Sequence, residues 1–281
     1  MSGWASKKIV VMIKIKTIQR GIMAAIAGDV IGSAYEFNPV KTMGFSMFTA
    51  DTTFTDETVL TLCVAQWLLE DASHSPEVLI RTLRTVGNKF PYCGYGGPFM
   101  RWLHTEDAKP YNTEGNGAAR RVSPVAFYAK SMDEALSLAK VSAEVTHINP
   151  VAVRGAQAVA AAIFLAREEM TKDEIRRYVE ENFGYDLHRT VDEIRPDYMF
   201  YAKCDRTVPE AMLCYLESNT FEEAVRKCVS LGGDADTMAS ICGGLCGATA
   251  GMEVPDDMVL RCYCMVDIKL QEIVDRFSDL Y

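Results

Sequence analysis

Long apolar runs are missing from this chain: nowhere in its 281 residues are there the roughly 18 uninterrupted apolar residues that a membrane span needs, so none is expected. Pro- and Ser-rich linkers, blocks of one charge and internal repeats are missing as well. The expectation is one domain over residues 21–281 behind an N-terminal extension of residues 1–20. Basic charge is short, with 29 Lys and Arg against 38 Asp and Glu and a net charge of -9. Residues 1–20 hold five basic residues and no acid, so the body is more acidic still. That argues against broad contact with nucleic-acid phosphates, leaving nucleic acid only as a modified substrate. The basic start and Ile9–Ile13 faintly resemble a signal peptide, but Lys14 and Lys16 interrupt the run and no small-residue cleavage site follows. The nine cysteines show no pairing pattern: Cys262-x-Cys264 lacks the two-residue gap of a zinc pair, and no His follows it. Reduced thiols in a cytoplasmic protein are expected, and nothing marks an obligate partner, so a monomer is too.

Strand patterns are equally scarce, confined to Val10–Ile15 and Met43–Phe48. What is present is helix after helix. Gly21–Ala34 is rich in Ala, Ile and Gly and should pack closely. Thr55 can cap a helix to about Glu70, Ser75-Pro76 opens another, and a third runs from Ser131 through Ala143. Asn149-Pro150 opens Val151–Glu169, whose small-residue face is Ala152, Gly155, Ala156, Val159, Ala160 and Ile163. Thr171-x-x-Glu174 and Thr220-x-x-Glu223 are capping boxes. Asp234 starts a further helix, and Pro255 precedes a last one reaching about Phe277. Gly-rich loops fall at Cys93–Pro98 and Glu114–Gly117. An all-α domain with Ala- and Gly-lined helices crossing at close range is expected.

Two acidic clusters each open an apolar stretch: Thr55-Asp56-Glu57-Thr58, and Gly232-Gly233-Asp234-Ala235-Asp236-Thr237. Each puts carboxylates and a hydroxyl at the start of a helix that reads as buried, and neither contains Lys or Arg. Buried carboxylates are costly unless paired, hydrogen-bonded or metal-bound, so a shared oxygen-lined site for hard cations is the simplest explanation. Against it stands ordinary helix capping, which favours Thr at the cap and acids in the first turn. Asp29 breaks an apolar helix and Glu36 follows it; alone, the first reads as a structural acid and the second as a solvated one. The Tyr111–Pro124 segment offers small residues and free amides suited to phosphate oxygens, or is a plain surface turn. His147 heads a helix, a place where histidine is more often structural.

Taken together and in order, these blocks make the sequence closely similar to the ADP-ribosylglycohydrolase family, over residues 21 to about 255. The resemblance rests on Gly28-Asp29 with Glu36, Thr55-Asp56-Glu57-Thr58, Gly115-Asn116-Gly117-Ala118 with Arg121 and Pro124, Thr146-His147 with Pro150, and Gly233-Asp234-Ala235-Asp236-Thr237. It implies a compact single-domain orthogonal helical bundle that hydrolyses the glycosidic bond between ADP-ribose and an acceptor. It implies two magnesium ions, with manganese as an alternative, held by Thr55, Asp56, Glu57, Asp234, Asp236 and Thr237. It implies catalysis by Glu36, Asp56 and Asp234, and an ADP-ribose pocket lined by Gly115, Asn116, Gly117, Ala118, Arg121 and His147. Tyr92, Tyr95, Phe99 and Trp102 are candidates for the cleft wall, with core packing the equal or better reading for Trp102.

Two positions depart from the family's pattern. Glu57 stands where the family usually has Asp, one methylene shorter, and Arg120 where it commonly has Met; near the pocket, Arg120 would contact a phosphate or face water. Glu57 keeps open a catalytically weakened ADP-ribose-binding relative of the same fold, which would bind free ADP-ribose without turnover. A hydrolase of another nucleotide-like compound, such as a phosphoester, would instead release phosphate.

Overall fold

The computed structural model describes residues 18–280. Among them are fourteen α-helices: α1 (Ile22–Gly32), α2 (Asp56–Glu70), α3 (Pro76–Gly87), α4 (Gly97–His104), α5 (Ser123–Tyr128), α6 (Met132–Glu144) and α7 (Pro150–Arg167), then α8 (Lys172–Phe183), α9 (Val191–Ile194), α10 (Cys204–Leu216), α11 (Phe221–Ser230), α12 (Ala235–Ala248), α13 (Asp256–Met265) and α14 (Ile268–Ser278). No strand occurs among the described residues, and the all-α expectation holds.

The centre is built by α1 and α12. Every residue of α1 is buried, as is α12 from Ala235 to Gly247, the signature of helices with no solvent face. Glycine lets their backbones touch. A Cβ on Gly28 would stand 2.0 Å from the Ala239 carbonyl oxygen, and one on Gly243 2.2 Å from that of Ala24. This approach sets Asp29 of α1 beside the first turn of α12, where Asp236 lies. The small-residue face of α7 is buried as its pattern predicts, with Gly155 against Cys204. By length and composition α7 could cross a membrane, but Arg154 and Gln157 interrupt it and most of it lies inside the fold.

The caps act locally. Thr55, Ser75, Ser131 and Asn149 each accept a backbone N–H at the start of their helix. Thr171 and Glu174 close a full capping box. Thr220 accepts from the Glu223 amide, but the Glu223 side chain reaches Asn219 instead, so that box is half made.

Two expectations change, and a third falls outside the described residues. Met43–Phe48 is a bent loop: Arg226 donates to the Met43 and Phe45 carbonyls at 2.9 and 2.8 Å, satisfying groups a partner strand would have taken. Val10–Ile15 lies outside the described residues, as does most of the 1–20 extension. The last helix is two, because Val266 leaves helical geometry and Asp267 caps a new start through the Lys269 amide. Helices α4, α5, α9 and α10 are not among the expected ones; α4 begins inside a Gly-rich loop, and α10 carries Pro209 within it. All nine cysteines are free, as expected of reduced thiols.

Candidate active site

Helix α2 begins against α1, and Asp29 joins them. Its carboxylate accepts the amides of Thr55 (3.0 Å) and Thr58 (3.1 Å) and the hydroxyls of both, capping α2 from another helix. The structural reading of Asp29 is thus realised, yet the same carboxylate edges the acid cluster. The single hydroxyl hydrogen of Thr55 faces three carboxylates: Asp29 at 2.7 Å, Glu57 at 2.5 Å and Asp236 at 3.4 Å. Thr237 donates to the other oxygen of Glu57 at 2.5 Å. Thr55, Glu57, Asp236 and Thr237, in pairs 181 (Thr55 with Asp236) and 180 (Glu57 with Thr237) residues apart, therefore meet as predicted.

Asp234 sits at the N-cap of α12 but makes no capping bond. Its side chain instead accepts from Asn116 Nδ2 at 2.7 Å, so helix capping does not explain it. Two glycines make this turn: Gly232 takes a φ of 66°, and a Cβ on Gly233 would stand 2.4 Å from the Tyr198 ring. Lys41 pins the turn by donating to the carbonyls of Arg195, Tyr198 and Leu231.

Too many carboxylates share too little positive charge. Burial, then the charge on Glu57, pushes Asp29 up to about 7. Half-buried Glu36 is pushed to about 8 by burial, Asp234 and Glu57. Burial also raises Asp234, and raises Asp56 and Asp236 strongly. Burial would raise Glu57 too, but Arg120 and hydrogen bonds from Asp56, Thr237 and Thr55 bring it down to about 2. Asp29, Glu57 and Asp236 bring one oxygen each within 4.8 Å of one another; so do Glu36, Asp234 and Asp236. Two oxygen triads sharing Asp236, buried but for Glu36 and in need of compensating positive charge, suit hard divalent cations. Asp56 belongs to neither.

Arg120 departs from one of its sequence expectations. Its side chain does not face water: it lines the cavity but enters the acid cluster, so the site is not lined by oxygen alone. From the turn after Asn116–Ala118 its guanidinium grips both oxygens of Asp56 and also Glu57. The side chain is 12% exposed. Burial works against its charge, but Asp56, Glu57, Asp234 and Asp236 hold its pKa well above the usual value. The two positions that depart from the family pattern are thus in direct contact.

Beside the cluster opens a cavity of about 430 Å³. Glu36, Asp234, Arg120, Arg121, Gly115, Asn116, Gly117 and His147 all line it. Asp56 does not, and fully buried Ala118 belongs to the core instead, because the short turn at Asn116–Ala118 points it inward. Asn116 spends its amide on Asp234 and Thr207 rather than on the cavity. Fully buried Arg121 donates to the Ser142 carbonyl (2.6 Å) and Thr146 (2.8 Å), while its Nε and Nη1 have no partner. Gly117 leaves room for the imidazole of His147: a Cβ there would stand 3.2 Å from the ring. His147 contacts Thr146 Oγ1 through Nδ1 at 2.8 Å and packs against Tyr111 at 4.7 Å. Burial, helped by Arg121 and Arg120, holds its pKa well below the ordinary value, so the ring is neutral.

Tyr95 and Phe99 form part of the cavity wall, as expected. Tyr92 does not; it is 98% exposed, and Trp102 is buried behind Phe99. Phe37 and Phe200, unread in the sequence, stack at 6.2 Å on the wall. Neither follows a helical period, so only their position in loops flanking Glu36 and Lys203 hints at them.

A sequence model of the family described as ADP-ribosylglycohydrolase matches residues 14–281. An uncharacterized protein of Archaeoglobus fulgidus is 31% identical over 72% of this chain and 73% of its own. The ADP-ribosylhydrolase ARH3 of Mus musculus is 24% identical over 86% of each chain. The ADP-ribosylarginine hydrolase Tri1 of Pseudomonas putida is 26% identical over 92% of this chain and 78% of its own. Among solved structures, an ADP-ribosylglycohydrolase-related protein complex is similar with a TM-score of 0.69 at 21% identity, covering 95% of this chain and 98% of that one, a likeness of fold. With a match that runs from residue 14 to the last residue, the chain belongs to the ADP-ribosylglycohydrolase family.

Proposed function

We propose that this protein hydrolyses the glycosidic bond between ADP-ribose and an acceptor, using divalent cations held in the acid cluster, magnesium first and manganese as the alternative. Family membership and the ADP-ribosyl hydrolase relatives support the reaction class. The observation that carries the reading is the pair of oxygen triads sharing Asp236, one of which reaches the cavity through Glu36 and Asp234. Thr55, Glu57, Asp236 and Thr237 with Asp29 would hold one cation, and Glu36, Asp234 and Asp236 the other. Bound there, the cations supply charge that neutralises the carboxylates and polarises the ribose hydroxyls.

The chain's own residues do the rest. Glycosidic cleavage develops positive charge at the anomeric carbon, and Asp234 on the cavity floor stabilises it. Glu36, at the wall, keeps its proton to about pH 8 in the metal-free cluster, and would release that proton with cations bound beside it. The resulting carboxylate can then take a proton from the attacking water. Tyr95, Phe99, Phe37 and Phe200 offer flat apolar faces to adenine. Fully buried Arg121, with two unpartnered nitrogens, sets positive charge behind the cavity wall, which favours an anionic ligand there.

The test is Asp234→Asn. Release of ADP-ribose from an ADP-ribosylated substrate is expected to stop and magnesium affinity to drop, while the helical circular-dichroism spectrum stays unchanged. Full activity in that variant would remove the proposal. One observation favours a second reading, an ADP-ribose-binding relative without turnover: Arg120 already engages Asp56 and Glu57. Calorimetric binding of ADP-ribose with no release from any modified arginine, serine, base or ester substrate would select it.

A further inference from the structure

We propose that Arg120 is a resident cation of the acid cluster, and that a divalent cation must displace its guanidinium to draw on Asp56 and Glu57. The inference rests on the reading of the cluster as a cation site. Every oxygen of these two carboxylates already has a partner. Arg120 takes both oxygens of Asp56. Arg120 and Thr237 share one oxygen of Glu57, and Thr55 takes the other. The Arg120 side chain is nearly excluded from water, and its Nε has no partner, so it is held by these acids alone.

Charge and reach explain the arrangement. A guanidinium is a planar fork whose nitrogens match a carboxylate two to two, and it stays charged where an ammonium would tend to lose its proton. A second positive charge set against the same two carboxylates is repelled by the first across a distance at which water cannot screen it. Seated Arg120 and a cation on Glu57 therefore exclude each other. Asp56, absent from both oxygen triads, is the carboxylate that Arg120 has withdrawn. The guanidinium also lines the cavity, so its departure from Asp56 would carry a positive charge towards an anionic ligand there. Occupancy by metal and by a diphosphate would then be linked, each favouring the other.

The experiment is isothermal titration of magnesium and of manganese into the full chain and into Arg120→Met at pH 7.5. Competition predicts at least tenfold tighter binding to the variant, with Arg120→Lys between the two because an ammonium cannot hold both oxygens of Asp56. Should Arg120→Met fail to fold, the intact protein still answers. Its Arg120 guanidinium 15N resonances, slowly rotating when seated, should shift and sharpen as magnesium is added. Equal or weaker metal binding by both variants, or an arginine spectrum indifferent to saturating magnesium, overturns the competition alone. Absence of metal binding by every form, intact protein included, overturns both the competition and the cation reading of the cluster.

Discussion

Gly28→Ala would strike the contact on which the fold and the site both depend. The added Cβ would stand 2.0 Å from the Ala239 carbonyl oxygen, 2.5 Å from its carbon and 2.9 Å from the Ser240 nitrogen. All three are backbone atoms within α12, so no side chain can turn aside. Relief requires α1 and α12 to part by about 1 Å, and both are buried along nearly their whole length. Overpacking a core costs about 1–3 kcal/mol, and a backbone clash in the central pair belongs at or above the top of that range. The Ala gains about 1 kcal/mol of helix propensity over Gly, too little to offset this. At about 2–4 °C per kcal/mol for a domain of this size, the melting temperature should fall by roughly 6 °C or more. Urea unfolding followed by circular dichroism measures the loss directly. Gly96→Ala is the control: its φ of -60° suits any residue and nothing lies within 4 Å of its Cβ, so a change within about 0.5 kcal/mol is expected. A Gly28→Ala protein as stable as the control would refute the close-packed account. Parting the helices also moves Asp29 from Asp236, so magnesium affinity should weaken with stability.

Two further outcomes follow from the charges. Burial and neighbouring acids raise Asp29 to about 7 and Glu36 to about 8 in the fold, against ordinary values of 3.8 and 4.5, so their contribution to stability is full below about pH 4 and is lost as pH rises through 7 to 8. Glu57, lowered to about 2, contributes above 4.5 and loses that as pH falls towards 2. In chelator, the melting temperature should therefore decline from pH 5 to pH 8, and saturating magnesium should flatten the slope; a metal-free protein that gains stability over that range contradicts the pKa assignments. His147 should show no charge transition between pH 5 and 8 when its ring 13C and 1H shifts are followed by NMR, since burial and two arginines keep it neutral; a midpoint near 6.5 would show that the ring is solvated.

The fold was legible because its signals are local. A Thr or Ser that caps a helix does so within three residues, and the small residues of α7 recur with the helical period, so both survive in one dimension. The two acid clusters were legible for a related reason: carboxylates at the heads of apolar helices are visible in one dimension, although helix capping alone would explain either cluster taken singly. What stayed hidden depends on distance in space. Nothing in Arg120-Arg121 says that the first side chain turns into the acids while the second turns towards Ser142 and Thr146. Asn116 reads as a pocket residue in a Gly-rich loop, yet its amide holds Asp234, 118 residues away. Phe37 and Phe200 sit in loops, where an aromatic has no period to declare which way it faces. The Met43–Phe48 alternation misled because a single arginine can satisfy the carbonyls that a neighbouring strand would otherwise bond.

The double duty of Asp29 makes α2 a reporter. The carboxylate that holds the Thr55 and Thr58 amide protons also borders the place a cation would occupy. A charge arriving there competes for the same lone pairs that lock those two protons. Their deuterium uptake is thus a gauge of occupancy that needs no substrate and no turnover: ligand chemistry on one side of a carboxylate would be read as fraying on the other.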